Sequence, residues 1–502
     1  MQRIFGPPGT GKTTTLLNMV DRAMESGIPP QKIGYFAFTR KAANEAKERA
    51  CKRFKLDSEV DLPYFRTLHS LAYRLLMVKD HQMMSKENWK EFSEAVGIRL
   101  TGSTSLDETD AMKASDHPML QVINLARAMK KPLKQVYDSH PTYFDFSWPE
   151  LLYVAQSYEN YKQSFGVMDF HDLLQQFVQD ADILLPEFEL CFIDEAQDLS
   201  PIQWDIAHAI DAKSKRMYAA GDDDQAIFVW SGADVDHFIN LTGDAEILEQ
   251  SYRVPQAQHR LAEKVVNRIS RRFPKRYIPR GEEGHVDHIR DIAQLDMSKG
   301  SWLILAQANF MLYDLYSELK QQGWLFERTD GSRSIPHKLA IAISGWERLR
   351  KGFQVPLSTA QAIYSYMSGN NVRVKRGHKV ITALDDALFS LEDLQNNYGL
   401  LATEDMIWRE AMDRIPELDS AYITNLLRSG EKFNAEPRIK LSTIHGAKGG
   451  EADNVVLLTD LTRAAMDQMN DDLHRVFYVG ITRSRKNLYL LEPEDYSKAY
   501  LL

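Results

Sequence analysis

The sequence predicts an α/β protein of two lobes, each a parallel sheet flanked by helices, with a mostly helical insertion in each lobe. Three observations carry this reading. Short apolar runs of strand length alternate with helical patterns in two separate regions. Two stretches between those regions carry helical patterns and no motif. The chain has 502 residues, too many for one core, so roughly two to four domains are expected.

In chain order, the first lobe is expected over 1–74 and 166–250, interrupted by a helical insertion at 75–165. Its strands are read at 33–39, 190–194 and 216–221, with a short strand before residue 6 and a helix over 14–24. The second lobe is expected over 251–330 and 437–502, with strands at 301–306, 439–444, 454–459 and 487–491. A second helical insertion fills 331–436, entered through a loop at 333–336. No internal repeat or low-complexity tract interrupts this order.

The composition excludes several classes. Residues are 44% hydrophobic and 26% charged, and no apolar run approaches the ~18 residues of a membrane span. The first residues run straight into a glycine-rich motif and leave no room for a signal peptide. Cys51 and Cys191 are the two cysteines, far apart and in no metal-ligand spacing, which fits a reducing, cytoplasmic setting. A net charge of −9 argues against a wholly basic nucleic-acid binder but leaves room for a local basic track.

Three motifs carry chemistry. Gly6, Pro7, Pro8, Gly9, Thr10, Gly11, Lys12 and Thr13 match G-x-x-x-x-G-K-[ST] in full, between a strand and a helix. Its glycines let backbone N–H groups curl around phosphates at a helix N-terminus; Lys12 would reach the β- and γ-phosphates of ATP, and Thr13 would hold Mg²⁺. Next, the apolar run 190–193 delivers Asp194 and Glu195 at a strand end, where ligands sit on open α/β sheets. Asp194 would serve the Mg²⁺ shell and Glu195 would orient and deprotonate the attacking water. The alternative is a solvated acidic turn. Third, Asp222, Asp223, Asp224 and Gln225 follow a strand. The glutamine amide can sense a γ-phosphate without carrying charge, and the three aspartates read equally well as a solvated turn.

Further along stand Gln250-Ser251-Tyr252-Arg253, the segment from Thr443 to Glu451, and Tyr478-Val479-Gly480-Ile481-Thr482-Arg483. Phe38-Thr39-Arg40, Thr67-Leu68-His69-Ser70 and Asp169-Phe170-His171-Asp172 precede them. In this order the motifs resemble those of superfamily 1 helicases of the UvrD/Rep/PcrA type, and the chain's size resembles compact, phage-encoded members. The resemblance implies two RecA-like P-loop NTPase lobes that clamp ATP and Mg²⁺, and an ATP-dependent helicase moving 3′-to-5′ on single-stranded DNA.

The same resemblance implies roles for single residues. Arg253 and Arg483 would reach the γ-phosphate as arginine fingers, Tyr252 would stack on the nucleotide base, and Glu451 would accept from the ribose hydroxyl. Phe38 and Trp230 would stack on DNA bases with Phe228 beside them, and Thr67, His69 and His445 would touch the strand backbone. For each aromatic the alternative is core packing. Two basic segments, 271–276 and 373–379, would extend the track or simply form solvated faces.

The pattern departs from the family in places. No glutamine-bearing helix precedes Gly6, Thr14 stands where an arginine near the base is usual, and Ser231 stands where arginine is usual beside Trp230. The chain also ends about 20 residues after Arg483, short of the duplex-splitting hairpin of larger relatives. These departures motivate a second reading, a single-strand translocase that displaces proteins and hardly unwinds. A third, a non-catalytic nucleotide-gated DNA-binding module, would need a broken catalytic set. Single-stranded DNA, single/double-strand junctions and a loading, replication or repair protein are the expected partners, with a monomer or weak oligomer and no membrane.

Overall fold

A computed structural model describes residues 1–100, 117–139, 145–432, 435–467 and 469–502, the side chain of Lys41 aside. The parts of the expected helical insertions at 101–116, 140–144 and 433–434 lie outside the described residues. The chain forms two compact units: Met1–Glu283 with Met469–Thr482, and Gly284–Gln468 with Arg483–Leu502.

The first unit is built on six strands: β1 (Gln2–Phe5), β2 (Ile33–Phe36), β3 (Phe65–Arg66), β4 (Leu190–Ile193), β5 (Met217–Gly221) and β6 (Ala245–Ile247). They lie in the order β3-β2-β4-β5-β1-β6, all parallel. β2 and β4 are buried along their whole length, as strands covered by helices on both faces must be. Alternation sends successive side chains to opposite cores. Ile4 joins a core with the helices Lys12–Glu25 and Arg40–Phe54, whereas Phe5 joins one with Phe170–Leu184 and Pro201–Ala212. In register, Phe5 pairs with Gly221 and Ile193 with Ala219, so β1, β4 and β5 end together. Their C-terminal loops therefore converge on one edge, the place where open parallel sheets hold ligands.

The described residues of the first insertion form helices around their own core of Trp89, Phe92, Leu120, Leu151 and Tyr158. An ionic cluster ties it to the sheet. Asp169 caps the helix Phe170–Leu184, and its Oδ2 accepts from Arg127 (2.5 Å), Tyr158 (2.8 Å) and Lys162 (3.3 Å). Burial alone would raise the Asp169 carboxyl, but Arg127 and Lys162 outweigh it and hold it well below the usual range. His171, beside this cluster, is pushed down to about 3 by burial and by Arg127, with His69 and Lys162 adding to the shift against the opposing Asp169. The unfolded chain thus binds a proton near pH 6.5 that the folded chain refuses. Stability is expected to fall as pH drops from 6.5 toward 3, by at most ~1.4 kcal/mol per pH unit. Denaturant melts at pH 7 and pH 5 should differ less in His171→Asn than in the parent, and equal pH slopes would refute the assignment.

The second unit contains β7 (His285–Ile289), β8 (Trp302–Ala306), β9 (Phe326–Glu327), β12 (Ile439–Thr443), β13 (Ala452–Leu458) and β14 (Ser484–Leu491). They form a parallel sheet in the order β7-β14-β13-β8-β12-β9. Its insertion packs helices around Trp346, Ile363, Leu394 and Leu426, with one short antiparallel pair, β10 (Val355–Pro356) and β11 (Leu388–Phe389).

Each strand read from the sequence overlaps an observed one. β3, β6 and β9–β11 escaped because two or three residues show no periodicity, and β7 because its residues are mostly polar. The lobe boundary expected at residue 250 falls inside the first unit. The turn after it is pinned there: Ser251 Oγ donates to the Pro8 carbonyl at 2.7 Å, and the Tyr252 N–H donates to the Gly9 carbonyl at 2.8 Å. The helix Asp471–Ile481 likewise belongs to the first unit, although β13 and β14 flank it in sequence.

Candidate functional site

The loop between β1 and the helix Lys12–Glu25 holds Gly9 and Gly11 at φ 72° and 77°, the left-handed region that glycine enters without strain. A β-carbon on Gly9 would stand 2.3 Å from the Arg253 β-carbon, and one on Gly6 would stand 2.7 Å from that of Lys12. The loop is therefore closed around its own backbone. Thr10 Oγ1 donates to the Pro7 carbonyl at 2.8 Å and fixes the bend. Gly11 is the N-cap of the helix, and no side chain caps the first turn. Such a turn directs N–H groups and the positive end of the helix toward an anion. Thr14 lies in that first turn.

Lys12 and the carboxylates after β4 meet here. Lys12 Nζ lies 2.7 Å from Glu195 Oε1 and 3.8 Å from Asp194 Oδ1. Burial alone would lower the Lys12 ammonium, but Glu195 and Asp194 outweigh it and hold it above the usual lysine range. Thr13 Oγ1 and Tyr35 OH both donate to Asp194 Oδ2, at 2.9 and 3.0 Å. Burial raises the Asp194 carboxyl despite Lys12. Glu195 occupies the left-handed region (φ 58°, ψ 40°), a cost of roughly 1–2 kcal/mol for a residue with a β-carbon. That strain turns its carboxylate back toward Lys12.

Gln197, to which the sequence reading gave no role, joins this group to the next. Its Nε2 donates to Glu195 Oε2 at 2.7 Å and to Asp198 Oδ2 at 2.9 Å, and its Oε1 accepts from the Asp222 N–H at 2.9 Å. Gln225 Nε2 in turn donates to Asp222 Oδ2 at 2.6 Å. Lys12, Thr13, Asp194, Glu195 and Gln225 thus form one connected network at the ends of β1, β4 and β5. The three aspartates are buried, which corrects the reading of a solvated turn. The basic segment 271–276 is corrected in part: Arg272 and Lys275 turn inward onto those aspartates, while Arg271 and Arg276 are exposed.

The residues suit ATP and Mg²⁺. A glycine cradle with an uncapped helix start fits phosphate oxygens, and the Thr13 hydroxyl beside the Asp194 carboxylate offers the hard oxygen donors that Mg²⁺ takes from protein.

Tyr252 is 72% exposed, one residue before Arg253 on the turn packed on Gly9. Trp230 is 53% exposed on the short turn Val229–Ser231, which packs through Gly232 on the helix Pro118–Ala128. Phe38 and Phe228 are buried and stacked on each other, ring centroids 5.6 Å apart at 21°. Thr67 is buried and caps the helix Leu68–Leu75 by accepting from the Ser70 N–H at 3.2 Å. His69 sits edge-on to Phe170 at 6.0 Å.

In the second unit, His445 lies in the turn after β12, and Glu451, just before β13, is paired with Arg485. Arg483 is 2% exposed just before β14, and its Nη1 donates to the Gly450 carbonyl at 3.4 Å. In the segment 373–379, Lys375, Arg376 and His378 are exposed, whereas the Lys379 ammonium is bound by the Tyr364 and Met367 carbonyls. Among the described residues no helix is long and apolar enough to cross a membrane.

Residues 3–246 match the UvrD/REP helicase N-terminal domain, and residues 439–491 match the UvrD-like helicase C-terminal domain. The chain is similar to the ATP-dependent DNA helicase PcrA of Leuconostoc citreum, 23% identical over 97% of this chain and 79% of that protein. It is similar to that of Bacillus subtilis (strain 168), 23% identical over 96% and 79%. Against that of Staphylococcus aureus (strain NCTC 8325 / PS 47) it is 25% identical over 54% of this chain and 38% of that protein. With both family domains in sequence order and the nucleotide-type network assembled at the ends of β1, β4 and β5, the chain belongs to the UvrD/PcrA type of superfamily 1 helicases.

Proposed function

We propose that this protein is an ATP-dependent DNA helicase that translocates 3′-to-5′ on single-stranded DNA and acts at single/double-strand junctions. The observation that carries the reading is the single network joining Lys12, Thr13, Asp194, Glu195 and Gln225. Groups suited to binding phosphate, holding Mg²⁺ and taking a water proton lie together at one sheet edge, which supports this reading. The backbone of Gly6–Gly11 and Lys12 bind the phosphates of ATP, and Thr13 and Asp194 hold Mg²⁺, which supplies neutralisation of the phosphate charge. Glu195 takes the proton of the attacking water, its carboxylate oriented by Gln197. Gln225 reports the γ-phosphate, and Arg253 and Arg483 supply guanidinium charge to the transferred group. Tyr252 stacks on the nucleotide base and Glu451 holds the ribose.

On the DNA side, Trp230 is the base platform, since its ring is half exposed only five residues beyond Gln225. His69 and His445 serve the strand backbone. Phe228, stacked on Phe38, stands at the start of the turn that carries Trp230, and Thr67 caps the helix that carries His69. Trp230→Ala is expected to weaken single-strand binding by ~1–3 kcal/mol with basal ATP turnover retained. Fluorescence anisotropy with a labelled oligonucleotide measures this, and unchanged affinity would return Trp230 to a packing role.

The test of the whole reading is strand separation with ATP and Mg²⁺ on matched duplexes carrying a 3′ or a 5′ single-stranded tail, with ATP turnover recorded alongside. Unwinding of the 3′-tailed substrate alone supports the helicase and its direction, and equal unwinding of both overturns the direction. Strong strand-stimulated turnover without unwinding supports instead a protein-displacing translocase. Ser231 favours that second reading, because its hydroxyl donates to the Phe228 carbonyl at 2.7 Å and so serves the local turn.

A further inference from the structure

Three adjacent carboxylates buried at a strand end are costly unless cations are built in beside them. Asp222, Asp223 and Asp224 are each at most 1% exposed. Lys275, itself buried, brings its Nζ to 3.0 Å from Asp222 Oδ1, 2.6 Å from Asp223 Oδ1 and 2.6 Å from Asp224 Oδ2. Arg272 grips Asp224 with both prongs, Nε to Oδ1 at 2.8 Å and Nη2 to Oδ2 at 2.7 Å. The Phe273 N–H donates to Asp223 Oδ2 at 2.6 Å, and Arg475 Nε donates to the Asp223 carbonyl at 3.0 Å. Arg475 also donates to the Arg271 carbonyl at 2.6 Å, which holds the cation-bearing segment against the helix Asp471–Ile481.

The three aspartates differ in what they touch next. Asp224 is served by the Arg272 fork and Asp223 by a backbone N–H. Asp222 alone leads back to the hydrolytic residues: its Oδ2 accepts from Gln225 and its N–H donates to Gln197. The other oxygen of the same carboxylate is the one Lys275 holds. A glutamine amide has several rotamers and two flip states, and a short bond to Asp222 favours one of them. That bond is only as well placed as the Asp222 carboxylate.

Resting on the helicase reading above, we propose that Lys275 is a positioning residue for ATP hydrolysis, which fixes the γ-phosphate sensor Gln225 by clamping Asp222. Lys275 also neutralises Asp222 and Asp223, which Arg272 does not reach, so a charge-balanced variant is needed to separate its positioning role from its charge. The sequence hid this role, since a lysine in the run Arg271–Arg276 looks like one more cation of a solvated track.

The test is a double-mutant cycle on the full chain. Lys275→Met alone leaves an uncompensated buried carboxylate and risks misfolding, so it is combined with Asp223→Asn, which keeps the charge balanced and retains the Arg272–Asp224 fork. In the otherwise unchanged protein this pair is expected to lower kcat for strand-stimulated ATP turnover about tenfold, with KM for ATP within about twofold. In a Gln225→Ala background the same pair should lower kcat by less than about twofold, because the residue it acts through is already gone. Unchanged kcat in the charge-balanced variant overturns the proposal. So does a full tenfold loss in the Gln225→Ala background, which is what a purely structural role predicts, and so does a Gln225→Ala protein as fast as the parent. A parent chain with no strand-stimulated turnover overturns the helicase reading itself, so the two failures are told apart.

Discussion

Lys12→Ala is expected to lower strand-stimulated ATP turnover by at least ~10²-fold. The substitution removes more than one phosphate contact. Lys12 Nζ is 2.7 Å from Glu195 and 3.8 Å from Asp194, so it is also the cation that keeps two adjacent carboxylates charged side by side. Burial already raises the Asp194 carboxyl, and loss of Lys12 removes the cation that opposes this. Nucleotide affinity and turnover should therefore fall together, measured by fluorescent-nucleotide titration and phosphate release. A variant that turns over ATP at near-normal rates would refute the role of Lys12.

Glu195→Gln separates chemistry from binding. The glutamine keeps the shape, and its carbonyl oxygen can still accept from Gln197, whose Nε2 is 2.7 Å from Glu195 Oε2. It cannot take a proton from water. Turnover is expected to drop by about 10²-fold or more, while nucleotide binding stays close to that of the parent. Lys12→Ala and Glu195→Gln thus predict different patterns at one site. If the parent shows measurable turnover and Glu195→Gln matches it, Glu195 is not the base and the strained backbone that aims it serves another purpose. If the parent itself shows none, the non-catalytic binding module takes the place of the motor.

The phosphate loop and the Asp194-Glu195 pair were legible because their chemistry is local. A G-x-x-x-x-G-K-[ST] run between a strand and a helix folds into its cradle almost wherever it occurs, since glycine φ angles and a helix start are properties of neighbouring residues. The parallel sheets were legible for a related reason: strands covered on both faces, such as β2 and β4, read as uninterrupted apolar runs.

Phe38, Phe228 and Trp230 were not separable in the same way. All three are aromatic residues in motifs, yet two are buried against each other and the third is half exposed. Exposure depends on which elements pack above a residue, and no local pattern records that. The basic segment 271–276 shows the same limit, because neighbouring residues of one short run, Arg271 and Arg272 or Lys275 and Arg276, go to opposite destinations.

The sequence by itself determined the α/β class, the family motifs and their order, and the residues able to bind phosphate, Mg²⁺ and a water proton. Tertiary structure alone decided which polar groups are joined. Gln197 links Glu195 to Asp222, and Lys275 is drawn from roughly 50 residues away into a cluster of buried aspartates. The physical reason is that a buried charge must find its partner wherever the fold brings one within reach. Sequence specifies which residues carry charge, but it is the packing of the turn after β5 against the segment Arg271–Tyr277 and the helix Asp471–Ile481 that sets which charges meet.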